Sequence, residues 1–131
     1  MRKTFFLALI ISSSLAWAQK PLVWEILGMT TYQLNASPDG NMDYEPKFPK
    51  LLEDKYEGEE VTLAGYLIPI DLEAKQYALS KNPFSSCFFC GNAGPETVVE
   101  LRFEKSPARF ATDEFVLIKG KLKLVRDGSG L

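Results

Sequence analysis

The sequence predicts a mainly β protein, and three features of its second half lead there. Val61, Leu63, Gly65 and Leu67 alternate with Thr62, Ala64 and Tyr66. This period of two turns one face of a strand to a core and the other to water. The alternation returns over 97–104, where Val99, Leu101 and Phe103 interleave with Glu100, Arg102 and Glu104. It returns again over 114–125, where Ile118, Gly120, Leu122 and Leu124 interleave with Lys119, Lys121 and Lys123. The lysines are expected on a solvated strand face and not at a phosphate site.

The amino terminus is expected to be removed. Arg2 and Lys3 form a short basic region, Phe5 to Ile11 an apolar one, and Ala16-Trp17-Ala18 a small-x-small cleavage pattern. Residues 1–18 therefore read as a signal peptide, with the mature chain starting at Gln19 and exported to a bacterial periplasm. The apolar stretch is short of the roughly 20 residues a membrane span requires. No cysteine lies near the cleavage point, so a lipid anchor is not expected.

Residues 19–60 read as an irregular N-terminal arm packing on the core. Within it Pro21 to Leu27 is a short apolar element, Thr30 to Leu34 alternates like a strand, and Ser37-Pro38-Asp39-Gly40-Asn41 is a turn cluster. Tyr44, Pro46, Phe48 and Pro49 read as an extended stretch laid across the core, and Glu53 to Glu60 as a solvated loop or a fraying helical turn.

Residues 61–131 read as the domain proper. Its first strand carries Gly65, which suggests a bend or bulge, and Pro69, where pairing is expected to stop or to reach an edge. A short strand over 76–81, with Tyr77 and Leu79 inward, precedes a loop, the strand over 97–104, a linker with Pro107 and the last strand over 114–125. Glycine-bent long strands in this order resemble an OB-like Greek-key barrel. Such a barrel closes with a fifth strand. Here Arg126-Asp127-Gly128-Ser129-Gly130 is a turn signal with only Leu131 after it, so the last strand is expected to be missing.

Composition narrows the chemistry. The formal net charge is −2 and there is no histidine. A mildly acidic chain has no general attraction for nucleic acid. Without histidine it lacks the commonest general base and the usual nitrogen ligand for zinc. Haem attachment would need a histidine after Cys90, and position 91 is Gly91. Neither haem nor a nucleotide is expected, and the chain reads more as a non-enzyme than an enzyme.

One segment carries chemistry, the turn-rich loop 82–96 with Cys87-Phe88-Phe89-Cys90-Gly91. Two cysteines at this spacing allow three readings. In the first they are soft ligands to zinc or copper(I), with Glu96 the best further contributor and Asp71 or Glu73 within possible reach. Zinc's four positions could also be filled by thiolates pooled from two copies. In the second they form a structural disulfide of an exported protein, although so short a ring restrains the unfolded chain little. In the third Cys87 attacks a disulfide and Cys90 resolves the intermediate, but no helix is expected to lower the thiol pKa. Phe84, Phe88 and Phe89 crowd the same loop. Packing beneath it is the expectation, and exposure would make them a partner-binding patch.

Trp24-x-x-Leu27, Pro46-Lys47-Phe48 and Val61-x-Leu63-x-Gly65-Tyr66-Leu67-Ile68-Pro69-Ile70-Asp71, with the Cys-Phe-Phe-Cys-Gly loop, resemble the small exported bacterial proteins of the domain-of-unknown-function family 3299. The resemblance runs from about Trp24 to Val125. It implies a single exported domain, often encoded beside transport components and in some relatives in zinc-responsive operons. It carries over no catalytic residue. Members continue past the final turn into one more strand, and this chain departs from that pattern. The sequence-level expectation is thus an exported accessory or binding module that holds a soft metal through Cys87, Cys90 and Glu96. Its expected partner is a membrane transport complex or a second copy, and no integral membrane segment is expected after cleavage.

Overall fold

The computed structural model describes residues 19–87 and 93–126. The expected signal peptide, the final turn, and Phe88, Phe89 and Cys90 lie outside the described residues. Seven strands and two short helices follow one another: β1 (Lys20–Pro21), α1 (Trp24–Leu27), β2 (Thr31–Ala36), β3 (Met42–Lys47), α2 (Lys50–Lys55), β4 (Glu60–Asp71), β5 (Gln76–Ser80), β6 (Val98–Leu101) and β7 (Phe115–Lys121). The protein is mainly β.

Strand β4 is the spine. Its lower half pairs with β7, from Glu60↔Lys121 to Tyr66↔Phe115, and its upper half with β5, from Tyr66↔Ser80 to Asp71↔Gln76. β6 continues the sheet beyond β5, and β1 joins β4 in parallel at Val61 and Thr62. The sheet curls into a half-barrel with the strand order expected of an OB-like barrel. Among the described residues β6 and β7 each have a single neighbour, so the barrel is open between them.

The expected inward set of β4 is observed, since Val61, Leu63, Gly65 and Leu67 are buried. Gly65 does not break the register. A methyl group there would lie 2.6 Å from the Ser80 carbonyl oxygen and 3.1 Å from Cζ2 of Trp24. The indole of Trp24 donates its N–H to the Ala64 carbonyl at 2.7 Å, which docks α1 on the strand. Glycine serves close approach at this point. The register shift falls instead between Pro69 and Asp71, and Pro69 lies where β4 has become an edge on its β7 side, the strand running two residues further along β5.

The N-terminal arm is more ordered than expected. β2 and β3 form an antiparallel hairpin in which Tyr32 pairs with Pro46 and Ala36 with Met42. The turn cluster closes it, with the Asn41 carbonyl accepting from Ser37 N–H at 2.7 Å and Gly40 at φ +85°. The charged stretch begins within a helix, α2, which buries Leu52 completely. Arg126 reaches back to Glu57 at 2.8 Å and Glu53 at 3.4 Å, which ties the end of the described chain to this arm.

The core joins both halves: Leu22, Leu27 and Leu52 pack with Val61, Leu63, Leu67, Tyr77, Leu79, Leu122 and Leu124. β5 buries Ala78 and Ser80 as well as Tyr77 and Leu79, because both of its faces are covered. β6 stops at Leu101, short of the expected Glu104. Phe103 leaves the strand to stack on Phe110, whose N–H donates to the Tyr77 hydroxyl at 3.1 Å. β7 stops at Lys121, but Leu122 and Leu124 remain buried as expected. Among the described residues no helix is long and apolar enough to cross a membrane.

Candidate functional site

The loop joining β5 to β6 is clamped at its base. Lys81 N–H donates to the Thr97 carbonyl at 2.9 Å, and Thr97 returns its hydroxyl and N–H to Gly94 O at 2.6 and 3.1 Å. A third tie comes from the β7 side, where Asp113 Oδ1 accepts the N–H of Phe84 at 2.7 Å. Two single 3-10 turns, Phe84–Ser86 and Pro95–Thr97, flank the cysteine segment. Pro83 and Pro95 set the backbone entering them, as proline favours the start of a turn.

Within this frame Cys87 and Phe84 differ sharply in burial. Cys87 is 0% exposed and Phe84 is 45% exposed. Cys87 caps the C-terminal end of its turn, its N–H bonded to Phe84 O at 3.3 Å. Phe84 departs from the expectation that the loop aromatics are packed away.

Glu96 belongs to a different neighbourhood. It is the middle residue of the second 3-10 turn and lines a groove whose opposite wall is the hairpin. Burial, and then the Glu96 charge, push the Tyr32 phenol above its ordinary pKa, and the two residues line the groove from opposite sides. Cys87 does not line this groove. Of the other suggested oxygen ligands, Asp71 is engaged in the β4–β5 turn, its Oδ1 accepting from Glu73 and Ala74 N–H at 2.9 Å each. Among the described residues no three of Cys, Asp and Glu gather as a metal-binding group.

The groove itself went unread in the sequence. It has a volume of about 500 Å³ and lies between the edge of β6 and the chain leaving β7, floored by Leu27, Val98, Leu122 and Leu124 and walled by Tyr32, Met42 and Pro46. The signal for its hairpin wall was present: two runs, 30–34 and 42–47, separated by the Ser37–Asn41 turn cluster. Comparison with protein-family models, with curated proteins and with solved structures finds no match to this chain.

Proposed function

We propose that this chain is an exported, non-catalytic binding module in which Cys87 and Cys90 form a short disulfide that braces loop 82–96, with the exposed face of Phe84 meeting a partner. The observation that carries this reading is the opposed burial of Cys87 and Phe84 on one clamped turn. A sulfur fully withdrawn from solvent is poorly placed to attack an external disulfide or to pass a metal between proteins. It is well placed to hold a loop's shape. An exposed aromatic whose backbone is already hydrogen-bonded at both its N–H and its carbonyl loses less entropy when it docks. The resemblance to exported proteins encoded beside transport components makes a membrane transport complex the natural partner.

Closing a ring of four residues stabilises the fold by about 2 kcal/mol in the chain-entropy account. The bridge therefore serves loop shape more than global stability. Mass spectrometry and metal analysis of the protein, purified from its native compartment, test the reading. The expected result is an intramolecular Cys87–Cys90 bond and no stoichiometric metal. One zinc or copper per chain, or per pair of chains, held through both cysteines would replace this reading with the soft-metal one.

A further inference from the structure

The outer edge of β7 is the surface the loop reading leaves unused. Leu122 N–H donates to Glu59 O at 3.0 Å and Leu67 N–H to Glu114 O at 2.9 Å. With the continuous register between them, these bonds turn the backbone groups of Val116, Ile118 and Gly120 toward β4. Those of Leu117, Lys119 and Lys121 then point the other way, where no strand pairs among the described residues.

The side chains along this edge are of two kinds. Phe115 and Leu117 are 63% and 68% exposed, the most open large apolar residues of the described chain. Next along the same face come Lys119, Lys121 and Lys123. Lys119 reaches Glu60 at 3.6 Å, and among the described residues no ion pair engages the other two. Lysines alone would blunt an edge, but a largely exposed Phe115, its ring edge-on to Tyr66 at 5.0 Å, and an exposed Leu117 do the reverse. Self-pairing is a poor answer. Within the strand each outward lysine of one copy would meet Phe115, Leu117 or a lysine of the other, never a carboxylate.

We infer that the β7 edge accepts an extended segment of a partner protein as an added strand, one that alternates acidic with apolar residues. Its N–H and C=O groups would pair with Leu117, Lys119 and Lys121. Its carboxylates would lie beside the lysines on the outer face. Its apolar side chains would turn toward the groove beneath, against Leu122 and Leu124. The inference is independent of the state of the cysteines.

A fluorescent peptide alternating valine and glutamate, titrated into the full chain, tests it, with peptides alternating valine with lysine and with serine as comparisons. The glutamate peptide should bind at least ten times more tightly than the lysine peptide and weaken as salt is raised. It should also slow hydrogen exchange at Lys119 and Lys121. Replacing both lysines with glutamate (K119E and K121E) should reverse the preference between the charged peptides, and thermal unfolding of that variant checks that it is folded. Equal affinity for all three peptides, no reversal in the folded variant, or a concentration-dependent dimer that protects the same amides would overturn the inference.

Discussion

Replacing Gly65 with alanine should destabilise the protein although it adds a single methyl group to a strand. The new Cβ would sit 2.6 Å from a backbone oxygen of β5, 3.0 Å from Cγ of Leu79 and 3.1 Å from the Trp24 ring. The first contact cannot be relieved by a rotamer change, because its partner is the Ser80 carbonyl. Either β5 moves from β4 or the strand bends outward. Overpacking of this kind costs about 1–3 kcal/mol, and the alanine recovers about 0.4–1 kcal/mol by restricting the unfolded chain. A net loss of about 1–2 kcal/mol corresponds to a fall in Tm of roughly 5–15 °C for a domain of this size. The readout is urea unfolding followed by circular dichroism and by tryptophan fluorescence, using residues 19–131, in which Trp24 is the only tryptophan. The fluorescence of the folded variant should also shift, since the indole loses its seat before the Ala64 carbonyl. An unchanged or raised midpoint would refute the claim that glycine is required here for close approach.

Leu67→Ala, at a fully buried position, should cost about 2–5 kcal/mol, while Leu117→Ala on the open edge should stay within about 0.5 kcal/mol; paired denaturant melts separate them. Glu57 is held below the usual carboxylate range by its hydrogen bond from Arg126. Its contribution to stability is present above the ordinary glutamate pKa and is lost as the pH falls through the lowered one. The Tm difference between wild type and Arg126→Gln should therefore be greatest near neutral pH and shrink in acid. Glu96→Gln should lower the Tyr32 pKa by removing a neighbouring negative charge, which an alkaline NMR titration of tyrosine ring carbons would register. Because the folded-state phenol titrates above its unfolded value, wild-type stability tied to Tyr32 falls as the pH rises past the ordinary tyrosine range.

Much of the sheet was legible because one face of it is wet. Period-two alternation marks a strand only where its two faces differ, as in β4 and β7, whose inward residues were read one by one. On β5 it found the strand and its inward Tyr77 and Leu79 but not the burial of the other face, where Ala78 and Ser80 are equally covered. It overran on β6, since Phe103 keeps the alternating pattern while packing against Phe110 from beyond the strand's end. The hairpin escaped because Pro46 in its second strand argued for an irregular stretch. An edge strand tolerates proline, and a two-stranded ribbon consists of edges only. At the candidate site, spacing identified the cysteines and the loop but not the direction of either side chain. The burial of Cys87 beside an exposed Phe84 goes with a tie no local pattern announces, the Asp113 carboxylate holding the loop's backbone from the turn before β7.

The central claim is that the Cys87 side chain is withdrawn from solvent, and the rate at which that thiol is alkylated tests it most directly. With the protein mildly reduced and still folded, site-resolved mass spectrometry should find Cys87 reacting orders of magnitude more slowly than in denaturant. Its rate should rise when Phe84 N–H loses its acceptor in Asp113→Ala. A folded-state rate matching that of an unstructured cysteine peptide would contradict the account.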